Sequence, residues 1–512
     1  MTSAQICIMI AIIVYLIGMI YIGFRCSKKN NSTDDFYLGG RKLGPFVTAM
    51  SAEASDMSSW LLMGLPGVAY LTGISDAGWT AIGLAAGTYI NWLIVAKRIR
   101  RYTHTCNNSI TIPSFFSNRY RDEKKDAAGH CCYFYCYLFY SLYGTSGFAA
   151  CGKLFSSLFG VKYLTAMIIS AIVIVAYTTL GGFLAASTTD FIQSIIMSVA
   201  LIVVLIFGVE TAGGIGAVIH NASELPGYLS MTLSYDVNTG KAAPYSALTI
   251  VSTAAWGLGY FGMPHILLRF MAIEDEKKLK LSRRVATIWV VISLFVAVFI
   301  GVIGYTMSKV GALEMLTGSN SETIIVKISA LLSQHGVIFA LLAGVILAGI
   351  LASTMSTSDS QLLAASSAVS SDILGAFRKD SSNKNGSMAA ARITLLVISV
   401  VAAFIARNPD SSVFAIVSFA WAGFGAAFGP VVLFSLFWKR TNKWGALAGM
   451  VCGGSMVFIW KYLIRPLGGI WNIYELLPAF LIACAAIVIV SLLTPKPSKE
   501  IEEEFDRVAQ MK

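Results

Sequence analysis

Apolar runs of about twenty residues follow one another along this 512-residue chain, separated by short polar segments rich in Lys and Arg. A run of that length crosses the roughly 30 Å hydrocarbon core of a bilayer as one helix. The pattern predicts thirteen spans, at 5–24, 44–71, 76–96, 128–151, 162–184, 189–209, 246–268, 285–307, 335–370, 391–406, 412–437, 444–463 and 473–494. The first run is too long for a signal-peptide core and lacks a basic start, so it reads as a retained span. After Leu493 comes only a charged tail, TPKPSKEIEEEFDRVAQMK, with no attached soluble domain expected. The expected division is one transmembrane domain over 1–494 and a cytoplasmic tail over 495–512.

An odd number of spans puts the termini on opposite faces. Cytoplasmic loops carry the excess of Lys and Arg, which then fixes the orientation. With the N-terminus outside and the C-terminus inside, thirty of the 38 basic residues fall on inner segments. These are Arg25, Lys28, Lys29, Arg41 and Lys42, then Lys97 to Lys125, Arg269 to Arg284, Arg378 to Arg392, Lys439 to Lys443, and the tail. Arg41 and the 97–125 loop read chiefly as topology, with gating contacts as the alternative.

Composition agrees with this pattern. Hydrophobic residues make up 56% of the chain and charged ones 13%, with mean hydropathy +0.70. A soluble surface needs about 25% charged residues. The net charge of +11 would suggest nucleic acid in a soluble protein, but positive inner loops account for it. The nine cysteines show no metal-ligand spacing. Neither a nucleophile–base arrangement nor a GxxxxGK[ST] phosphate loop occurs, so no enzyme is expected. No nucleic-acid partner and no obligate protein partner is expected.

Three spans are unlike the rest. Residues 50–67, MSAEASDMSSWLLMGLPG, put Glu53, Asp56 and four serines at membrane depth. A charge at the bilayer centre costs on the order of 3 kcal/mol and is borne mainly where it faces a cavity or an ion. Residues 256–264, WGLGYFGMP, combine three glycines with a proline, which weakens a helix. Trp256, Tyr260 and Pro264 are spaced by four and would share one helical face. In 348–361, AGILASTMSTSDSQ, the hydroxyls of Ser353, Ser356, Thr357 and Ser360 form a stripe with Asp359 at its edge. Oxygen donors of this kind suit a hard cation. His265 reads as a packed neutral histidine rather than a proton carrier.

Two interrupted spans separated by four intact ones suggest an inverted-repeat transporter. At these residues the chain resembles the sodium/solute symporter family, most closely its bacterial sodium/proline branch. The stretches that carry the resemblance are YLGGRKLGPFVTAMSA (37–52), ASDMSSWLLMGLPG (54–67), GGFLA (181–185), WGLGYFGMPHILLRFMA (256–272) and SFAWAGFGAAFGPVVLFSLFWKR (418–440). The resemblance implies an all-α membrane protein with the leucine-transporter-like fold. Two inverted five-helix repeats, 44–209 and 246–437, would be preceded by one extra helix, 5–24, and followed by two, 444–494.

The resemblance also implies roles. A sodium site would use carbonyls of Ala54, Met57 and Ser353 with hydroxyls of Ser356 and Thr357. Ser58, Ser59, Trp256, Tyr260 and Pro264 would face the substrate, and Asp56 would serve sodium coupling. Asp190, with Ser356, Asp359 and Ser360, matches a second cation site found in some members. Three residues depart from the pattern. Glu53 replaces a small residue, and two carboxylates three residues apart repel each other. Ser59 replaces glycine, and Asp359 a hydroxyl or small residue. Residues 123–146 depart almost wholly. The expected activity is sodium-coupled uptake of L-proline by alternating access in the cell membrane, with Na+ as coupling ion. Another small amino acid or carboxylate as substrate, a non-transporting sensor, and a channel are the alternatives.

Overall fold

The computed structural model describes residues 2–27, 33–122, 128–367 and 384–511. Lys28, Lys29, Lys124, Lys125, Arg378, Lys379 and Lys512, residues 123–127, and the 368–370 end of the ninth expected span lie outside the described residues. So do the side chains of Cys131, Cys132, Cys136, Lys384 and Arg392.

The chain is a helical bundle. Its helices are α1 (Ser3–Ser27), α2 (Thr33–Leu38), α3 (Pro45–Asp56), α4 (Leu65–Thr72), α5 (Ile74–Ile90), α6 (Ala96–Thr105), α7 (Ile112–Arg119), α8 (Ala128–Phe159), α9 (Tyr163–Thr211) and α10 (Ile215–Ser223). After a two-stranded hairpin follow α11 (Ala247–Ala254), α12 (Pro264–Ala272), α13 (Leu279–Lys309), α14 (Ile324–Leu332), α15 (Val337–Ser367), α16 (Lys384–Ile405), α17 (Val413–Phe437), α18 (Lys443–Ile459), α19 (Leu476–Leu493) and α20 (Lys499–Gln510). Among the described residues, eight helices are long and apolar enough to cross a membrane, and Trp60–Thr72, Tyr163–Val175 and Leu396–Ile405 are shorter apolar helices.

Helix ends follow local chemistry. Pro45 opens α3 at its first turn, where its missing N–H costs nothing. Ser412 and Asn442 cap α17 and α18 through bonds to Ala415 N and Gly445 N. At 49 residues and about 1.5 Å per residue, a straight α9 would far exceed the bilayer core. It breaks at Gly182, where φ is 66° and ψ −177°, a backbone shape that glycine adopts without strain. The sequence placed that junction at 185–188; the break falls earlier, and 185–188 is helical.

Two further spans are broken. α3 stops at Asp56, Met57 leaves the helix (φ −74°, ψ 68°), and a π-helical turn at Trp60–Gly64 leads into α4. The second break separates α11 from α12. Ala255–Gly262 is wound as a tighter 3₁₀ helix, and Met263 is extended (φ −82°, ψ 104°). Close approach explains the glycines: a Cβ on Gly257 would sit 2.2 Å from Gly83 O, and one on Gly259 would sit 2.0 Å from Trp421 Nε1. α15 packs against α9, α1 and α3, while α17 packs against the 255–262 segment. The broken backbone is thus enclosed by intact helices, as membrane depth requires. The expected shared face of Trp256, Tyr260 and Pro264 is corrected here. The first two lie on the 3₁₀ segment, and Pro264 opens a separate helix beyond the break.

Candidate functional site

The α3 break is spanned by α15. Ser356 Oγ donates to Ala54 O at 2.8 Å and lies 3.1 Å from Ser353 O; Thr357 Oγ1 also donates to Ser353 O at 3.1 Å. Ala54, Ser353, Ser356 and Thr357 therefore form one buried oxygen cluster. Hydroxyls that donate to carbonyls in this way can rotate and turn their lone pairs toward a cation. The donor set, all oxygen, fits a hard monovalent ion. Met57 is buried just past α3, and no hydrogen bond among the described residues ties it to α15.

On the other side of the break, Tyr260 donates its phenol to Asp56 Oδ2 at 2.8 Å, joining the two interrupted segments. Asp56 O accepts the Trp60 indole N–H at 3.0 Å. Glu53 Oε1 accepts the Trp92 indole N–H at 2.9 Å. Asn91 donates to Tyr260 O at 3.1 Å.

Trp256 lies in an aromatic box. Its ring centroid is 6.0 Å from Trp60, 5.4 Å from Phe414 and 5.3 Å from Tyr474. Trp421 donates its indole N–H to Trp256 O at 2.8 Å and meets Tyr260 edge-on at 5.1 Å. Ser58, Ser59, Trp256 and Tyr260 are all buried, so this is an occluded arrangement. The Ser59 hydroxyl has no partner among the described residues.

Asp190, Asp359 and Ser360 meet next to the oxygen cluster at Ser356, together with a residue that sequence reasoning did not assign to the site. Arg269, 1% exposed, donates from Nη2 to Asp190 Oδ2 at 3.1 Å and also to Ser360 Oγ, and from Nε to Ser51 Oγ at 3.0 Å. Ser51 donates onward to Asp190 Oδ2 at 2.6 Å. Asp359 Oδ1 accepts from Ser360 Oγ at 3.2 Å. The cluster carries two carboxylates and one guanidinium. His265 is fully buried.

Sequence reasoning also missed Trp92, Phe414, Trp421, Tyr474 and Tyr143, whose phenol lies 3.4 Å from Asp56 O. Trp421 alone carried a signal, lying inside the 418–440 stretch. A separate cavity of about 410 Å³ between α1, α8, α9 and α15 is lined almost wholly by apolar side chains and lies apart from this chemistry.

Arg41 donates to Met271 O at 2.7 Å, Ser109 O at 2.9 Å and Asn108 Oδ1 at 3.1 Å, tying the segment before α3 to the ends of α6 and α12. Outside the membrane-spanning segments, Arg101 binds Glu276 at 2.5 Å and holds its carboxyl below the usual range.

Comparison with known proteins gives this geometry a context. The sodium/proline symporter of Haemophilus influenzae is 42% identical over 510 residues, covering 98% of this chain and 97% of that protein. The osmoregulated proline transporter OpuE of Bacillus subtilis is 39% identical over 492 residues, covering 96% of each. Among solved structures, a Na+-coupled sialic acid symporter in a substrate-bound outward-open state superposes with a TM-score of 0.75 at 17% identity, over 96% of this chain and 99% of that one. That likeness establishes the fold, which is the leucine-transporter-like one. The model of the sodium:solute symporter family matches residues 36–453, and the chain belongs to that family.

Proposed function

We propose that this protein is a sodium-coupled L-proline symporter of the cell membrane, working by alternating access. Sodium is the coupling ion, held by Ala54, Met57, Ser353, Ser356 and Thr357. The observation that carries the reading is the Ser356 hydroxyl on Ala54 O, which sets two hydroxyls and two carbonyls around a helix break. Relatives near 40% identical over almost the whole chain and named for proline support the solute.

Sodium binding first would order the α3 break. Ser58, Ser59, Trp256, Tyr260 and Pro264 then receive the solute. Trp256 and Tyr260 offer flat faces to a pyrrolidine ring, and the freed amides at the breaks suit its carboxylate. Asp56 couples the two events, because its side chain binds the broken 255–262 segment through Tyr260. Asp190, Asp359 and Ser360 act with Arg269 as a coupling cluster beside the sodium site. One charge moving down about 100 mV supplies roughly 2.3 kcal/mol, close to fifty-fold accumulation.

The proposed architecture keeps thirteen spans, N-terminus outside, one extra helix before two five-helix repeats and two after, and a cytoplasmic tail. Contacts support it: Arg41, Arg100 and Arg101, all assigned inside, bond to the equally inner Met271, Ile273 and Glu276.

Uptake of labelled proline into proteoliposomes tests the reading. An inward sodium gradient should drive accumulation that excess cold proline abolishes. Absence of a sodium-dependent signal rejects it, and failure of proline to compete points to another small amino acid or carboxylate. Ser356→Ala with Thr357→Ala should raise the half-saturating sodium concentration at least about tenfold, which corresponds to roughly 1.4 kcal/mol.

A further inference from the structure

We propose that Glu53, Asp56, Thr88 and Asn91 form a second binding site for a small monovalent cation, on the α5 side of the α3 break. The inference rests on the sodium-symporter reading for its consequence, not for its geometry.

The first argument is oxygen. Glu53 is 1% exposed and Asp56 is fully buried. Each carboxylate has one oxygen engaged, by Trp92 and by Tyr260. The second oxygen of each, Glu53 Oε2 and Asp56 Oδ1, has no hydrogen-bond partner among the described residues. On the helix face that carries Trp92, Thr88 Oγ1 and Asn91 Oδ1 are also buried and also without a hydrogen-bond partner among the described residues. Thr88 and Asn91 are three apart and share a helical face with Trp92, so one surface presents all three to α3. Three of the four meet Tyr260: Asp56 accepts its phenol, Asn91 donates to its carbonyl, and Thr88 lies beside its phenol oxygen, while Glu53 joins them through Trp92, the neighbour of Asn91. Buried polar groups are usually paired, and four idle oxygens on the residues around Tyr260 and Trp92, two of them carboxylate, offer a ligand a set of donors.

The second argument is charge. Among the described residues no Lys, Arg or His forms an ion pair with Glu53 or Asp56, whereas Asp190 has Arg269. The two carboxylates lie in the last turn of α3, whose C-terminal end adds partial negative charge of its own. All contributions have the same sign. A buried site of that kind is relieved by a mobile cation, and half-helix ends with freed carbonyls are where transporters hold one. Carboxylate, amide and hydroxyl oxygens without nitrogen or sulfur donors select a hard ion over a transition metal. This placement also separates the two buried carboxylate pairs described above. The Asp190–Asp359 cluster contains its own resident cation in Arg269, and the Glu53–Asp56 cluster waits for one from solution.

The consequence is thermodynamic. A cation here would draw α3 and the 255–262 segment together through Asp56 and Tyr260. Two cations per solute would square the roughly fifty-fold accumulation that one charge gives at about 100 mV.

Radiolabelled sodium binding to the purified full-length protein in nanodiscs, without proline, tests the site. Two sodium ions per chain are expected. Ser356→Ala with Thr357→Ala should leave one, whose Kd Glu53→Gln then raises at least about tenfold. A single sodium on the unaltered protein overturns the proposal, as does a binding curve that Glu53→Gln leaves unchanged. Thr88→Val, which keeps the side-chain shape, guards against a Glu53 variant that does not fold. It should weaken the same site, and unchanged binding there also overturns the proposal. The readout needs no solute. Two bound sodium ions with no proline uptake would reject the transport reading and leave this site standing.

Discussion

At the last turn of α12, Arg269 turns inward and meets groups from three other helices: Ser51 of α3, Asp190 of α9 and Ser360 of α15. Its aromatic neighbour Phe183 lies 5.0 Å from the guanidinium carbon. Removing one partner of a buried ion pair costs about 3–5 kcal/mol, because the other charge is stranded. Arg269→Ala should therefore lower the thermal unfolding midpoint sharply in detergent, and adding Asp190→Asn should recover part of the loss. Equal midpoints for the single and the double variant would deny the coupling. Asp190 was reached in the sequence only through the family resemblance. Arg269 was not reached at all. It closes a span next to a basic loop, so the positive-inside pattern absorbed it. Glu53 and Asp56 were visible directly, as charges at membrane depth. Their partners Trp92 and Tyr260 arrive from 39 and 204 residues away, and no local spacing reveals that.

The broken elements were readable because glycine and proline act locally. WGLGYFGMP predicted a weakened helix and became a 3₁₀ turn with an extended Met263. What spacing by four could not give was the face, since a 3₁₀ helix repeats every three residues and Pro264 lies beyond the break. The tail held a signal that its charge concealed. Ile501, Phe505 and Val508 recur at helical intervals and are all buried beneath α20, with Arg98 5.1 Å from the Phe505 ring. Arg101 binds both Met511 O at the end of α20 and Glu276 before α13, so it joins the tail to the segment that follows α12. The hydrogen bond from Arg101 lowers the Glu276 pKa. A depressed carboxyl adds stability above its ordinary range and loses it as pH falls through the held-down value. A partly exposed pair of this kind is worth at most about 1 kcal/mol. Arg101→Gln should therefore quicken hydrogen exchange of the α20 amides at neutral pH. The unaltered protein should show part of that loss as a lower protection factor, after correction for the slower intrinsic exchange, as the pH drops below the usual Glu range. Exchange that ignores both changes would show α20 held by its apolar face alone.

Across the whole molecule, charge sorts by end. Arg121 pairs with Glu504, Lys439 with Asp506 and Lys443 with Asp122, all on segments assigned inside. Lys153 with Glu322 and Lys309 with Glu224 fall on segments assigned outside, and Arg465, also assigned outside, pairs with Glu475 at the adjoining end of the 473–494 span. No pair among the described residues joins the two sets. Such segregation follows from a bilayer between them, because an ion pair cannot reach across roughly 30 Å. The segments assigned outside are also more built than their polar sequence suggested, with α10, α14 and an antiparallel hairpin pairing Leu233 with Pro244 through Asp236 with Lys241. Those elements are short and weakly periodic, which is why alternation along the chain did not expose them. The orientation itself can be checked at two exposed positions, one in each set. In a background without native cysteines, Asn238→Cys in the hairpin turn should react with an impermeant maleimide on intact cells. Glu503→Cys on α20 should react only after permeabilisation. Reversed labelling would invert the orientation. Labelling of both from one side would make the number of spans between them even rather than seven, and so would reject the opposed faces on which the thirteen-span reading depends.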